Sequence, residues 1–246
     1  MRMLLVADLH YRLPHLDWVT AVAGGYDLVV LAGDHLDISS PVSIEVQIAA
    51  LRVAMTDLAG RSRLAVCSGN HDLNTRTPSG EKTADWLAPL REVGAAVDGD
   101  SVTIGNTTVT VLGWWDGPVA REEFEAQLEA RAKAQLEAQA PDDSRWIWVY
   151  HSPPQGPLAW TGSRHFGDPV IADWVQRWQP TAVLMGHIHQ APFTPDGSWI
   201  DRLGATWLFN AGKQIGPVPA HIELDLDAAM ARWFSYQGLD ERRLTQ

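Results

Sequence analysis

Three short apolar runs in the first third of the chain are each followed at once by polar residues. The runs at residues 4–7, 28–31 and 64–66 lead into Asp8-Leu9-His10, Gly33-Asp34 and Gly69-Asn70-His71-Asp72. Continuous apolar runs of this length are typical of strands buried on both faces of a sheet. Helical patterns separate the runs, which indicates a sheet layered with helices. Because sites in such sheets assemble beyond the carboxyl ends of the strands, we expect these polar residues to converge.

The spacing of apolar residues predicts further elements along the rest of the chain. Helices are predicted at residues 16–23, 41–60, 83–93, 121–139 and 169–178. Strands are predicted at residues 102–104 and 108–111, joined by a tight turn, and at 147–150 and 182–184. The runs at residues 207–209, 221–226 and 231–236 indicate antiparallel strands. No repeat or linker divides the chain, so we predict an α/β (α+β) protein with one domain over residues 1–246.

One predicted helix, at residues 121–139, carries its apolar residues in an unusually narrow pattern. They recur at every fourth position, as Phe124, Leu128, Ala132 and Leu136. This spacing predicts a surface helix with a narrow buried stripe that lies on the sheet layer.

Net charge and cysteine content restrict the class of protein. The formal net charge of −11 argues against a broad basic surface for duplex DNA, so nucleic acid is the less favoured partner. The single cysteine, Cys67, cannot form an intrachain disulfide, which favours a reducing compartment. The first apolar run stops at Asp8 and is too short for a signal peptide or a membrane span. We therefore expect a cytoplasmic protein without a membrane partner, whose oligomeric state the sequence does not predict.

Polar side chains able to bind metal ions or transfer protons follow five of the predicted strands. They are Asp8, His10, Asp34, Asn70, His71, His151, His187 and His189. Oxygen and imidazole donors without a thiolate suit Mn²⁺, Fe or Zn²⁺. Eight such groups exceed what one ion needs, whereas two ions that share a carboxylate would use them economically. The sequence therefore predicts a two-metal centre. We assign no metal role to the other four histidines, His15, His35, His165 and His221.

The motifs Asp-x-His, Gly-Asp, Gly-Asn-His-Asp, a later His and Gly-His-x-His, in this order, resemble the calcineurin-like metallophosphoesterases. The resemblance covers residues 8–189. It implies a four-layer αββα sandwich of two mixed β-sheets flanked by helices. It also implies two divalent metal ions as cofactors, Mn²⁺ or an Fe/Mn pair, with Zn²⁺ as the alternative. The implied activity is hydrolysis of a phosphoric ester by a water or hydroxide that bridges the two metals.

The same resemblance implies a role for each of these side chains. The ligands of the first metal correspond to Asp8, His10 and His189, and those of the second to Asn70, His151 and His187. Asp34 resembles the carboxylate that bridges both metals. His71 resembles the family's histidine that contacts the phosphate and protonates the leaving group. An imidazole titrates near neutral pH and suits that task. The implied catalytic residues are therefore His71 and Asp34.

Differences between this sequence and one branch of the family restrict the class of substrate that we expect. Protein Ser/Thr phosphatases carry two arginines and a glutamate where this chain has Ile38, Ser68 and Asp72. Gly-Asn-His-Asp instead resembles the phosphodiesterase and nuclease branches. We therefore predict hydrolysis of the phosphodiester bonds of a nucleotide or another small phosphorylated molecule. The alternatives are an Mn-dependent DNA exonuclease or other nuclease-type phosphoesterase, a phosphomonoesterase, and a non-catalytic scaffold.

Four further residues are predicted to contact the substrate. Arg76 closely follows the Asn-His motif, and Arg164 and His165 lie in a loop between two ligand motifs. A solvated loop is the alternative interpretation for Arg164 and His165. Trp115, like its neighbour Trp114, either walls a pocket or stacks on a base, and core packing is the alternative interpretation.

Overall fold

The computed structural model describes residues 1–138, 141 and 143–245. The α-helices are α1 Leu13–Val22, α2 Ile44–Ala59, α3 Pro118–Glu137 and α4 Pro169–Trp178. Short 3₁₀ helices cover Ala23–Gly25, Asp85–Val93, Pro157–Ala159 and Ala191–Phe193. Within the described chain, no helix combines the length and apolar content needed to cross a membrane.

The strands, in chain order, form two large sheets and a small ribbon within the described residues. The first seven are β1 Arg2–Val6, β2 Leu28–Ala32, β3 Arg63–Cys67, β4 Thr75–Arg76, β5 Lys82–Thr83, β6 Ser101–Ile104 and β7 Thr107–Val111. The other seven are β8 Arg145–Val149, β9 Ala182–Met185, β10 Ile200–Leu203, β11 Thr206–Asn210, β12 His221–Asp225, β13 Met230–Ser235 and β14 Gly238–Arg243.

Each large sheet is mixed, with parallel strands at the positions that matter for the site. The first sheet has the order β14-β13-β12-β1-β2-β3, and β1, β2 and β3 are parallel. The second has the order β10-β11-β9-β8-β7-β6, in which β11, β9, β8 and β7 are parallel. The ribbon pairs β4 with β5. The carboxyl ends of β1–β3 and of β8 and β9 therefore each gather at one edge of a sheet.

Successive side chains along the central strands point to opposite faces of each sheet, so one face packs on the other sheet and the opposite face packs on helices. In β1, Met3 and Leu5 face the second sheet, where Ile147 and Phe209 belong to the same buried cluster. On the other face of the first sheet, Leu4, Val6, Val29 and Val66 pack against residues of α1 and α2. The outer face of the second sheet packs against α3 and α4 in the same way, through Trp148 and Val183. The predicted sandwich of two mixed sheets flanked by helices is confirmed, whereas the single domain over residues 1–246 stays a prediction.

Two predicted elements differ from the structure in a way that follows from local sequence. The segment at residues 83–93 is a 3₁₀ helix over Asp85–Val93 and contains Pro89, which lacks the amide proton that a regular helix uses. Thr83 instead pairs with Thr75 in the ribbon. The run at residues 207–209 was expected to be antiparallel. Strand β11 is antiparallel to the edge strand β10, but it runs parallel to β9.

The predicted stripe on α3 is only partly buried. Leu128 is fully buried, whereas Leu136 is 80% exposed. Residues four apart in an α-helix are rotated by about 40° from one another, so a strict four-residue spacing drifts around the helix. The last predicted position of this helix, Gln139, lies outside the described residues.

Candidate metal centre

Five strand ends deliver the predicted ligands to one place between the two sheets. Strand β1 leads to Asp8 and His10, β2 to Asp34, and β3 to Asn70 and His71. From the second sheet, β8 leads to His151, and β9 leads to His187 and His189. A buried parallel strand fixes the position of the residue just beyond its end. The convergence expected from the sequence pattern is therefore seen in the structure.

The chain turns sharply at these strand ends, and several ligands carry left-handed backbone angles. The φ angles of Asp8, His10, Asp34 and His187 are 56°, 42°, 53° and 69°. Such angles cost a non-glycine residue on the order of 1–3 kcal/mol and persist where the surroundings enforce them. Their concentration here marks a site whose side-chain directions are set by the fold.

Glycines at two of these turns allow ligand side chains to approach the backbone. A Cβ atom on Gly69 would overlap the side chain and backbone of Asp34, and one on Gly33 would overlap the ring of His151. Gly33 also has a φ of +85°. The glycines of Gly33-Asp34 and Gly69-Asn70 are thus required by close contact with His151 and Asp34.

One group of donors contains two carboxylates and two imidazoles. Asp8, His10, Asp34 and His189 place their ligating atoms within 4.8 Å of one another. The Nε2 atoms of His10 and His189 are 3.0 Å apart, and Nε2 of His189 lies 3.2 Å from Oδ1 of Asp8. Nε2 of His10 is 3.7 Å from Oδ2 of Asp34. This group is able to hold one metal ion.

A second group shares Asp34 with the first. Asp34, His151 and His187 also place their ligating atoms within 4.8 Å of one another. Nε2 of His151 is 3.3 Å from Oδ2 of Asp34, and its Nδ1 pairs with the carbonyl of Ala32 at 2.7 Å. Because the carbonyl accepts a proton from Nδ1, the Nε2 lone pair faces the site in the neutral ring. The two groups meet at one carboxylate, as expected for a pair of ions.

One atom of the second group and one atom beside it lack the hydrogen-bond partners that buried polar atoms normally have. Oδ1 of Asn70 and Nε2 of His151 are buried without a hydrogen-bond partner in the described chain. An unsatisfied buried polar atom is costly and calls for an explanation such as an ion. Residues on both sides of Asn70 touch Asp34, because Gly69 packs on it and the amide of His71 donates to its Oδ1 at 3.0 Å. Divalent metal ions fit this donor set.

The protonation of the imidazoles also suits metal binding. Burial lowers the pKa of His10 and of His187 to about 4, so both rings are neutral near pH 7 and offer a lone pair. Burial would lower the pKa of His151 too, but the carboxylates of Asp34 and Asp8 raise it to about 9. A proton on His151 thus offsets the buried carboxylates, and an ion bound there would replace it.

His71 lies beside both groups without belonging to either. Its ring is 4.7 Å from that of His10, and its Nε2 is 3.8 Å from Oδ2 of Asp34. The side chain is 22% exposed, so it faces the solvent side of the centre. This position is compatible with contact to a bound phosphate.

Asp72 and Ser68 hold the loop that carries Asn70 and His71. The carboxylate of Asp72 accepts hydrogen bonds from the amides of His35, Leu36 and Gly69, each 2.8–2.9 Å long. The amide of Ser68 donates to Asp98 at 2.8 Å, and the Ser68 hydroxyl accepts from the amide of Trp114 at 2.9 Å. Asp72 therefore ties the β2 and β3 loops together.

The four predicted substrate contacts are placed differently from one another. Arg76 is exposed and donates to the carbonyl of Gly80 at 2.6 Å within the ribbon hairpin. Trp115 stacks on Tyr150 at 4.4 Å and packs 5.1 Å from Trp174, in the outer aromatic layer. This placement favours the core interpretation of Trp115.

Trp114, the neighbour of Trp115, stands against the second donor group. Its ring is 5.3 Å from that of His187 and 5.8 Å from that of His151. Trp114 and Trp115 fit the same apolar pattern in the sequence. Only the folded structure shows which of the two rings lies against the donor group. The wall of the centre is therefore formed by Trp114.

Arg164 and His165 lie on an exposed loop near the second group. His165 pairs with the carbonyl of Gly156 at 2.8 Å and packs against Trp160. The guanidinium of Arg164 lies 5.5 Å from the ring centre of Phe166, whose ring is 6.1 Å from that of His187. Phe166 thus contacts both Arg164 and the ring of His187. Contact of Arg164 with a substrate stays a prediction.

Lys213 is a residue near the centre that the motifs did not indicate. Its amide donates to the carbonyl of His189 at 3.1 Å, and its side chain is half-buried. Burial lowers the pKa of Lys213, and the nearby carboxylates of Asp8 and Asp37 raise it. A lone lysine after a strand carries no metal-binding pattern, so only the folded loop shows its proximity.

The sequence profile of the calcineurin-like phosphoesterase family matches residues 1–191. The chain belongs to this family. Membership implies a phosphoric ester hydrolase, and the matched segment contains every residue of the two donor groups. Lys213 lies beyond it. A search of curated protein sequences gives no match.

Solved structures share the calcineurin-like fold at low sequence identity. The protein TT1561 of Thermus thermophilus is 16% identical, with a TM-score of 0.60 and 99% of each chain covered. A dimetal phosphatase from Danio rerio is 13% identical, with a TM-score of 0.58, 100% of this chain and 97% of that chain covered. A purple acid phosphatase from yellow lupin (Lupinus luteus) is 14% identical with a TM-score of 0.55, and the match covers 99% of this chain and 51% of that chain. These similarities show the fold alone.

Proposed function

We propose that this protein hydrolyses phosphodiester bonds of a nucleotide or another small phosphorylated molecule with the help of two divalent metal ions. The observation that carries the proposal is the pair of donor groups that share Asp34. The buried, unpartnered Oδ1 of Asn70 beside the second group supports it. A small-molecule partner and a cytoplasmic location are part of the same proposal.

The chain's own residues would hold the two ions in distinct ways. Asp8, His10 and His189 would hold the first, and Asn70, His151 and His187 the second, with Asp34 between them. Divalent ions bound there would lower the pKa of water and stabilise negative charge on the phosphoryl group. Mn²⁺ or an Fe/Mn pair is proposed, with Zn²⁺ as the alternative, because oxygen and imidazole donors suit these metals.

The charge of the ligand set favours an anionic substrate. Asp8 and Asp34 are the only carboxylates in the two groups within the described residues, and the imidazoles and the Asn70 amide are neutral ligands. Two carboxylates do not neutralise two divalent ions, so the loaded centre attracts phosphate although the protein as a whole is acidic. The neutral Asn70 preserves this excess of positive charge where an aspartate would reduce it.

His71 is proposed to donate the proton that the leaving group needs. An alkoxide is a poor leaving group, and an imidazolium beside it can transfer a proton as the ester bond breaks. The ring lies next to Asp34 and His10 but outside both donor groups, so it is free to face the substrate. Asp34 orients the loop that carries His71 by accepting a hydrogen bond from the His71 amide.

Uncharged residues at two loop positions and aromatic rings beside the second group support a diester rather than a monoester. Ser68 is buried and bonded to Asp98 and Trp114, so this position provides no cation. Ile38 is 64% exposed and is likewise uncharged. Trp114 and Phe166 present aromatic rings beside His187, which suits the ring of a nucleoside or aryl group.

The proposal is tested by a substrate panel on protein loaded with Mn²⁺. We expect turnover of bis(p-nitrophenyl) phosphate to exceed that of p-nitrophenyl phosphate, and elemental analysis to give bound metal. Single-stranded DNA, duplex DNA and cyclic nucleotides are assayed in parallel. Asp34→Asn should lose metal and turnover, whereas Asp17→Asn, an exposed change on α1, should retain both.

Different results of the panel would contradict different parts of the proposal. Absence of both turnover and bound metal would contradict the proposal of an enzyme and favour a non-catalytic scaffold. Faster hydrolysis of p-nitrophenyl phosphate than of bis(p-nitrophenyl) phosphate would show that the protein is a phosphomonoesterase and not a phosphodiesterase. Rates on DNA comparable to those on nucleotides would favour a nuclease instead.

A further inference from the structure

Asn210, the last residue of β11, connects three loops of the second sheet through its buried side chain. The side chain is fully buried, and its Nδ2 donates to the carbonyls of Leu158 and Ile188, each at 3.1 Å. Its Oδ1 accepts from the amide of Gly212 at 2.9 Å. Because carbonyls only accept and a backbone N–H only donates, these partners fix the orientation of the side-chain amide. The loops after β8, β9 and β11 are therefore joined at one residue.

One of these partners lies between two ligands of different donor groups. Ile188 separates His187 of the second group from His189 of the first. Strand β11 runs parallel to β9 with Asn210 beside Met185, so the Asn210 side chain reaches the turn that follows β9. The Ile188 carbonyl and the His189 amide belong to the same planar peptide unit. A hydrogen bond to this carbonyl therefore fixes the backbone direction from which the His189 ring projects.

The segment that follows Asn210 holds the other side of His189. The amide of Lys213 donates to the His189 carbonyl at 3.1 Å. Gly212 has a φ of +69°, and a Cβ there would lie 3.0 Å from the same carbonyl oxygen. Both peptide units of His189 are thus held by residues 210–213.

His189 depends on its backbone more than the ligands deeper in the centre do. Its side chain is 36% exposed, whereas the side chains of Asp8 and His151 are fully buried. The His151 ring is also oriented directly, by the bond between its Nδ1 and a backbone carbonyl. His187 is held through its own amide, which donates to Asp8 at 3.1 Å. Loss of the Asn210 amide should therefore disturb His189 before it disturbs the other two imidazoles.

We propose that Asn210 is a positioning residue that holds His189 in the direction needed to bind the first metal ion beside the second. This inference rests on the proposed two-metal function. The Asn210 amide is occupied by three backbone partners, so it acts on the centre only through them. Removal of a residue that orients a metal ligand lowers metal affinity by about 10–100-fold.

Gln47 provides a matched control because its side chain forms the same set of bonds elsewhere. It is fully buried, and its Nε2 donates to the carbonyls of Asp37 and Val42 at 2.9 and 2.8 Å. Its Oε1 accepts from the amide of Asp37 at 2.8 Å. The segment that it fastens, residues 37–47, contains no residue of the two donor groups. Replacing Gln47 by alanine therefore removes three equivalent bonds and leaves the donor groups in place.

Calorimetric titration with Mn²⁺ tests the proposal without turnover. The wild-type protein is expected to bind two ions. Asn210→Ala should weaken the binding of one ion by about 10–100-fold and leave the other largely unchanged, whereas Gln47→Ala should bind both as the wild type does. Asn210→Asp keeps the volume of the side chain but turns a carboxylate oxygen toward two carbonyls, so it should weaken the same ion. Each titration is carried out well below the melting temperature of the variant.

Electron paramagnetic resonance of the Mn²⁺-loaded proteins gives a signature that a loss of stability alone would not produce. Two adjacent Mn²⁺ ions couple magnetically, whereas a single bound ion gives the spectrum of an isolated ion. With two equivalents of Mn²⁺, the wild type and Gln47→Ala should show the coupled signal. Asn210→Ala should show mainly the isolated one.

Three results would overturn the positioning role. They are wild-type binding of both ions in Asn210→Ala, equal weakening of both ions, and equal effects of Asn210→Ala and Gln47→Ala. If Asn210→Ala does not fold, Gly212→Ala decides instead, because its Cβ would press on the His189 carbonyl. It should show the same selective loss of one ion, and unchanged binding there would contradict the proposal.

Failure of the proposed function is distinguishable from failure of this inference. A wild-type protein that binds two Mn²⁺ ions but hydrolyses no ester would contradict the proposed function, and the titrations would still decide the role of Asn210. A wild-type protein that binds no second ion would contradict the two-metal centre and this inference with it.

Discussion

His71 and Asn70 are neighbours in the sequence but face different tasks at the centre. Oδ1 of Asn70 is buried without a partner, as expected of a ligand, whereas the His71 side chain is 22% exposed beside Asp34. A one-residue step in a sharp turn would thus direct one side chain to an ion and the next to the substrate, as the proposed function requires. The division of roles can be tested because it separates metal binding from proton transfer.

Replacing His71 by alanine is expected to leave metal content unchanged and to reduce turnover. The loss should be about 100-fold or more with a methyl leaving group and much smaller with p-nitrophenolate, because only the poor leaving group needs a proton. Methyl p-nitrophenyl phosphate and dimethyl phosphate with the same metal provide the comparison. Elemental analysis gives the metal content.

Loss of one ion in the His71 variant would instead make His71 a ligand. Equal losses with both leaving groups would rule out the acid role. His221→Ala, at a histidine stacked on Phe234 away from the donor groups, serves as a control for removal of an imidazole.

At the level of single residues, the sequence predicted which donor residues converge better than it predicted which aromatic residue lines the centre. The motif residues are constrained by strand ends and metal chemistry, so their order along the chain was informative. Trp114 and Trp115 are adjacent and chemically identical, and only the packing of Tyr150 and Trp174 against Trp115 distinguishes them. Lys213 belongs to no motif, and its proximity depends on hydrogen bonds of the loop after β11.

Among the elements, the turns at the strand ends tolerate the fewest residue types. The turn after β3 brings Gly69 against Asp34 of the turn after β2, and Asp72 bonds three amides across the two turns. These contacts hold the shared carboxylate in place before an ion binds. A side chain at Gly69 would therefore affect the site and the stability together.

Gly69→Ala is expected to lower the free energy of unfolding by about 1–3 kcal/mol, because its Cβ would overlap Asp34. It should also lower metal content. Gly24→Ala is the matched control, since a Cβ on Gly24 meets nothing within 4 Å, and its effect should stay within about 0.5 kcal/mol. Urea unfolding of the metal-free proteins measures the free energy of unfolding of both variants, and elemental analysis after loading with Mn²⁺ measures their metal content. Equal stability of the two variants would show that the turn can adjust.

The elements whose positions the sequence predicted well are those with a clear apolar pattern. Strands β1, β2 and β3 are almost wholly apolar, and α4 begins with a proline and ends at Trp178 as predicted. Direction was harder to predict for β11, because strand pairing is a long-range property that an apolar run of three residues does not encode. The exposed Leu136 shows the same limit for α3, whose surroundings determine which turns are covered.

On the scale of the whole molecule, a protein of formal net charge −11 holds a centre suited to anions. The distribution of charge reconciles the two facts, since imidazoles predominate in the donor groups and their two carboxylates would not neutralise two divalent ions. A buried cluster shared by both sheets fixes the distance between the β1–β3 ends and the β8–β9 ends. Metal binding should therefore stabilise the packing of one sheet on the other.

Removal of metal is expected to lower the melting temperature of the whole protein by roughly 5–10 °C for each bound ion. A ligand present at about 100 times its dissociation constant adds about 2.7 kcal/mol to the free energy of unfolding. For a chain of this length, each kcal/mol corresponds to about 2–4 °C. Differential scanning calorimetry with Mn²⁺ and after EDTA treatment measures the shift. Asp34→Asn should lose it because both groups use this carboxylate, whereas Asp17→Asn should retain it. A shift that survives in Asp34→Asn would place the stabilising ions elsewhere.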